Sequence, residues 1–221
     1  MPAATRPAPL ATLLRLLLVA GLLIAAPRLA RAAGWSGVDV TGAAPPLRFT
    51  MVDADTGKTV TARNFRGKIV LLYLGYTHCP DVCPLTLQRV TTVLGKLGPK
   101  RQDVRMLFVT VDPGRDSLSL LRQYTHAFAP EIIGLRGTPQ QIARIAERYR
   151  LAYSVSPATA HHAYEVTHSS AIYVFDRAGH ARLLEASLAS RTPDLDGTAH
   201  DLARLIDAHG SGAMAWLDRA L

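Results

Sequence analysis

Cys79 and Cys83 are the only cysteines in the 221-residue chain, and within the stretch YTHCPDVCPLT (residues 76–86) each is followed by a proline. A disulfide between residues this close would close a very short loop and remove little entropy from the unfolded chain, so the pair is a poor structural staple. Chemistry is the better reading. If the turn is helical, a spacing of four places both sulfurs on one face, about 6 Å apart along the axis. That is near the upper end of what a disulfide tolerates, and it equally presents two thiolates to one metal ion. A helix starting near Pro84 would stabilise thiolate, while Asp81, between the sulfurs, opposes it by repulsion.

Two thiolates alone make a two-coordinate site, adequate for cuprous copper, and an added imidazole suits copper in either oxidation state. A third ligand is therefore sought among the eight histidines. His78 adjoins Cys79 but should project to another side of the turn, where it shapes the site. His126, His180, His200 and His209 fall on expected helices or a hairpin turn, and His161 and His162 in a polar loop; all six read as solvated. His168 stands apart, because YEVTHSSAIYVFD places it at the entrance to a buried strand, where functional side chains are often held. From the residues alone, metal ligation stays open beside thiol-disulfide exchange, in which Cys79 attacks a partner disulfide and Cys83 resolves it.

The elements that must position these residues alternate. LRFTMVDADTGKTVTARNF, from Leu47, reads as two short strands around an Asp-Thr-Gly turn. KIVLLYLGY (68–76) is a continuous apolar run typical of a strand buried on both faces, and it leads straight into the cysteines. Leu87, Val90, Val93, Leu94 and Leu97 have helical spacing, with Gly98-Pro99 as the stop. VRMLFVTVD (104–112) is a second buried strand, followed by a helix through Leu118, Leu121, Tyr124 and Phe128. After EIIGL, Thr138 and Pro139 sit as N-cap and first residue of a helix with Ile142, Ile145, Ala146 and Tyr149 on one face. SSAIYVFDRAGHARLLEAS is a hairpin, and a last helix runs from about Thr198 to His209. The alternation predicts an α/β domain with parallel strands at its centre and antiparallel strands added to one side.

The net charge of +8 is concentrated at the start of the chain, where Arg6, Arg15, Arg28 and Arg31 precede Gly34 with no acidic residue among them. Without that segment 21 basic residues face 17 acidic ones, interspersed and without aromatic interleaving, which disfavours nucleic acid. Basic residues, the apolar run LLLVAGLLIAA (16–26) and a small-residue end at Ala30-Arg31-Ala32 mark residues 1–33 as an export signal or an N-terminal membrane anchor. Residues 34–46, rich in Gly, Ala and Pro, are expected to be a linker, and 47–221 the folded domain. The domain is then expected to be periplasmic or on the outer face of the inner membrane, where thiols tend to oxidise.

GYTHCPDVCP (75–84) resembles the signature of the Sco/SenC family of copper-binding proteins, and the resemblance continues through VTVDPGRDS, LRQYTHAF, IIGLRGTPQQI and YEVTHSSAIYVFDRAGH, over about Leu47 to Ser187. It implies a thioredoxin-like fold, with a central mixed sheet flanked by helices and an N-terminal β-hairpin addition. It also implies a copper site of Cys79, Cys83 and His168, the last by its match within THSS. Family members deliver copper to, or prepare the cysteines of, the dinuclear copper site in subunit II of a haem-copper oxidase. The partners implied are that subunit and a thioredoxin-like reductant or another copper chaperone. Leu74 departs from the phenylalanine of many members, a core difference.

Overall fold

The computed structural model describes residues 34–156, 158–159 and 164–217, with side chains as far as Ala208. The segment 1–33, read above as a signal or anchor, lies outside the described residues, as do His161 and His162 and the side chain of His209.

The two apolar runs form β4 (Ile69–Gly75) and β5 (Val104–Thr110), parallel and in register from Ile69↔Val104 to Gly75↔Thr110. Every residue of β4 is buried, as a strand covered on both faces requires. β6 (Ile132–Arg136) continues the parallel centre beside β5. The hairpin of β2 (Thr50–Asp53) and β3 (Thr59–Thr61) attaches antiparallel to β6. The second hairpin, β9 (Ile172–Phe175) and β10 (Ala181–Glu185), joins antiparallel to β4. The sheet runs β10-β9-β4-β5-β6-β2-β3, with β1 (Val38–Asp39) beyond β10, so both expected hairpins flank the parallel core.

Helix α1 (Val82–Lys96) follows β4 and buries Leu87, Val90, Val93 and Leu94, each worth about 1.5–3 kcal/mol over exposure. α2 (Leu118–His126) starts at Ser117, whose hydroxyl accepts from Leu120 N, and packs against β6. α3 (Pro139–Tyr149) has the expected Thr138 cap, reinforced as a capping box by Gln141, and ends at Arg150 in a left-handed conformation, φ 52°. α4 (Leu195–Leu217) begins before Thr198 and packs against α1.

Two stretches differ from the sequence reading. Residues 34–46, expected as a linker, carry β1 (Val38–Asp39), which pairs with β10, and the compact unit begins at Trp35. Asp201 accepts hydrogen bonds from Ser36 N at 2.7 Å and Gly37 N at 3.0 Å, which holds this stretch on the domain. The chain between α3 and β9 also contains a separate two-stranded ladder, β7 (Tyr153–Ser156) with β8 (Glu165–His168). Its residues are mostly polar with only Val166 buried, so no apolar run announces it.

Candidate metal centre

The parallel sheet delivers Gly75 and Tyr76 to its carboxyl edge, and the chain then turns through Thr77–Asp81 into α1. The turn is tied down from behind by Asp116, a wholly buried side chain in the loop before α2. Asp116 accepts from the Thr77 backbone N–H at 3.0 Å, the Thr77 hydroxyl at 2.6 Å and the Thr110 hydroxyl at 2.6 Å. Three bonds to one carboxylate fix the backbone just ahead of the first cysteine.

Cys79 precedes the helix and Cys83 lies in its first turn, both as free thiols. The Cys79 sulfur accepts the backbone N–H of Cys83 at 3.4 Å, filling the role of an N-cap acceptor that the Asp81 carboxylate leaves vacant. Cys79 is partly exposed and Cys83 fully buried. The Cys79 thiol is held down to about 4, first by the hydrogen bond from the Cys83 thiol, then by the Cys83 and Asp81 N–H groups, against the cost of burial. The Cys83 thiol moves in the opposite direction, because it donates to that thiolate and is buried beside it. Cys79 is therefore the thiolate of the pair and Cys83 its proton holder.

His168, last residue of β8, is brought in opposite Tyr153 of β7. Its ring stands edge-on between two tyrosines, Tyr73 at 5.7 Å and 88° and Tyr76 at 5.8 Å and 82°. Its Nδ1 lies 3.0 Å from the Ser169 carbonyl oxygen, which can only accept, so the proton is on Nδ1 and the Nε2 lone pair is free. Nε2 points at the sulfurs, 3.2 Å from Cys83 Sγ across 85 residues of chain. Among the described residues, Cys79, Cys83 and His168 are the group whose ligand atoms converge, all within 4.8 Å of one another. Two sulfurs and one imidazole nitrogen form a soft donor set that fits a thiophilic ion such as copper.

The other described histidines are engaged elsewhere. His78 is exposed and turned to the Thr77 hydroxyl at 3.0 Å and Asp116 at 3.5 Å. His126 faces Asp55, His180 faces Asp176 and His200 faces Asp201.

Several residues that complete the site were not singled out from sequence. Gly75 lets the strand end pass the second cysteine, since a Cβ there would lie 2.9 Å from Cys83 Sγ and 2.6 Å from the Phe108 ring. Tyr73 donates towards Cys83 Sγ at 3.8 Å, and Tyr76 donates to the Val166 carbonyl at 3.4 Å, joining the cysteine turn to β8. Burial first, then the nearby thiolate, pushes Tyr76 up to about 12, so it stays a donor at neutral pH. At the rim, Arg115 pairs with Asp112 and stacks 3.9 Å over Tyr164, whose hydroxyl donates to Asp112 at 2.8 Å. The signal for Tyr73 and Tyr76 was their place at the end of a buried strand; nothing local marked Tyr164.

The sequence profile of the family described as SCO1/SenC matches residues 42–206. A mitochondrial SCO2 homolog from Bos taurus is 40% identical over 133 residues, 59% of this chain and 50% of that protein. SenC from Rhodobacter capsulatus is 38% identical over 132 residues, 58% of this chain and 57% of that protein. The chain thus spans about half the length of these curated relatives. Among solved structures, Bradyrhizobium japonicum ScoI with copper bound matches at TM-score 0.64 and 35% identity, over 73% of this chain and 99% of that one. Yeast Sco1 with copper bound matches at TM-score 0.62 and 30% identity, over 71% of this chain and 87% of that one. These likenesses and the mixed sheet bear out the thioredoxin-like α/β fold class.

Proposed function

The chain belongs to the SCO1/SenC family, and from that premise we propose that it is a copper metallochaperone holding one copper ion through Cys79, Cys83 and His168. The observation that carries the reading is the convergence of these three side chains within 4.8 Å, with the His168 lone pair directed at the sulfurs. Solved relatives have copper bound, in agreement with the donor set found here. Copper is cargo: it arrives from another copper chaperone and leaves by ligand exchange through the partly exposed sulfur of Cys79. The acceptor is the dinuclear copper site in subunit II of a haem-copper oxidase, as the family resemblance implies. The work is done outside the cytoplasm, on the periplasmic side, the basic and apolar segment 1–33 acting as export signal or anchor and the residues from Trp35 on as the copper-binding domain. Among the described residues no helix is long and apolar enough to cross a membrane.

Titration of the reduced protein with copper, followed by mixing with the apo copper-site domain of subunit II, tests the reading. Copper should move to the acceptor, and His168→Ala should abolish cupric binding while thiol exchange persists. Unchanged copper binding in His168→Ala refutes the ligand assignment, and passage of electrons without copper refutes the chaperone role.

A second reading rests on the division of labour between the cysteines. A partly exposed Cys79 thiolate can attack a partner disulfide, forming a mixed disulfide and releasing one partner thiolate. Cys83, giving up its proton, then displaces the second partner sulfur and closes the Cys79–Cys83 bond. Two electrons pass to the partner, which on this reading is the cysteine pair of the oxidase copper site. A thioredoxin-like reductant resets the dithiol, the form able to take copper.

A further inference from the structure

Two adjoining grooves of the domain lie away from the cysteines, at the opposite end of β4. A groove of about 550 Å³ runs between the start of β2, the 3-10 turn Ala62–Phe65 and the end of α3, and a neighbouring one of about 330 Å³ shares Arg48, Phe49, Thr50 and Arg148 with it. Its apolar side is formed by Phe49 and Phe65, rings 6.0 Å apart, with Val70. Its polar side is mainly arginine, together with Asp176, whose carboxylate faces His180 and Arg182. Arg48, Arg63 and Arg66 are exposed around the first groove, Arg144 closes the second, and Arg148 stands in both, fixed by Nε and Nη2 bonds to the Pro46 carbonyl at 3.2 and 3.0 Å.

Arg101 pairs with Glu131, Arg115 with Asp112 and Arg177 with Asp103. Among the described residues, Arg48, Arg63, Arg66 and Arg144 have no carboxylate partner. Arg144 and Arg148 moreover lie four residues apart on α3, a like-charge spacing that destabilises a helix. Guanidinium forks from three elements around one groove, outnumbering the Asp176 carboxylate above an aromatic floor, are arranged for an occupant that brings negative charge and an apolar body. A phosphate accepts paired N–H donors from arginine, and its dianion neutralises more of the cluster than a single carboxylate does.

We propose that this groove binds a phosphate monoester carrying a short apolar chain, either free in solution or presented as a lipid headgroup. The seven residues of β4 separate it from the cysteine turn by about 20 Å, so the ligand leaves the metal centre open.

Titration calorimetry of the full chain with octyl phosphate tests the proposal. Binding should be saturable at one per chain and at least about tenfold tighter than inorganic phosphate, because the chain adds buried apolar area. The triple variant Arg48→Gln/Arg63→Gln/Arg66→Gln, whose wild-type side chains have no carboxylate partners, should melt as the parent does, bind copper as the parent does and lose about tenfold or more in affinity. Arg122→Gln/Arg191→Gln, equally exposed but outside the groove, should leave binding unchanged. Should the triple variant not fold, competition of octyl phosphate by pyrophosphate on the parent serves instead. Co-sedimentation with vesicles of phosphatidic acid in phosphatidylcholine, lost in the triple variant, would identify the lipid source; binding of octyl phosphate alone would identify the free one. Absence of saturable binding to both probes, an unaffected triple variant, failure of pyrophosphate to compete, or an equal loss in the distant double variant overturns the proposal.

Discussion

Cys79 and Cys83 differ in what surrounds their sulfurs, and their reactivity should differ accordingly. Cys79 is partly exposed and held as thiolate by donors from Cys83 and the start of α1, whereas Cys83 is buried and keeps its proton. Alkylation by iodoacetamide should therefore modify Cys79 alone. Its rate should be flat from pH 6 to 8, since an ordinary thiol gains thiolate over that window while a thiol depressed to about 4 is already ionised. A rate that climbs steeply with pH, or equal labelling of Cys83 by peptide mapping, would contradict the assignment. Gly75 sets the other residue-scale constraint. Its would-be Cβ meets the fully buried Phe108 ring at 2.6 Å and Cys83 Sγ at 2.9 Å, and neither neighbour is a flexible surface group. Gly75→Ala should cost about 1–3 kcal/mol in urea unfolding and weaken copper binding as the sulfur shifts.

At the scale of elements, the cysteine turn and the histidine arrive by different routes. The turn is held by Asp116 from behind, while His168 rides on the small β7–β8 ladder, outside the main sheet. That ladder is fastened to the rest by Tyr164 on Asp112 and Arg115, and by Tyr76 on Val166. Arg115→Ala removes both the stacking and the ion pair, so copper binding should weaken several-fold, with faster amide exchange in Glu165–His168 and little change in global unfolding. A loss of global stability without local loosening would assign Arg115 to the core instead. The same contrast explains what could be read in advance. β4 and β5 are unbroken apolar runs, α1 has buried residues at helical spacing and α3 has Thr138-Pro139 at its start, so each declared itself. β1 is two exposed residues long and β7 alternates weakly, so both depend on pairing partners distant in sequence. The residues alone set His168 apart but left its ligation open; family likeness in THSS selected it, and only the ladder shows how it reaches the sulfurs.

Across the whole molecule, the stretch before Leu47 is joined to the last helix through buried acids, and this should make stability depend on pH. Asp201 of α4 accepts from Ser36 and Gly37 with one oxygen, while its other oxygen and Glu185 Oε1 are buried without hydrogen-bond partners. Glu185 Oε2 is 3.5 Å from the Thr198 hydroxyl, Asp194 faces Ser36, and the exposed His200 approaches Asp201 no closer than 3.9 Å. Burial first and then the charge of Asp201 push the Glu185 carboxyl up to about 7 from its ordinary 4.5. Between those values the folded protein keeps a proton that the unfolded chain has released, so unfolding free energy falls as pH rises through this window and levels off above it. The loss should amount to about 1–3 kcal/mol by pH 8. Glu185→Gln replaces the acid by a neutral group of the same shape. Urea unfolding should find it close to the parent at pH 5 and more stable by about the same 1–3 kcal/mol at pH 8. Parallel pH profiles for the two proteins would show that Glu185 is ionised throughout, and the junction between β1, β10 and α4 would then need a counter-charge that these residues do not supply.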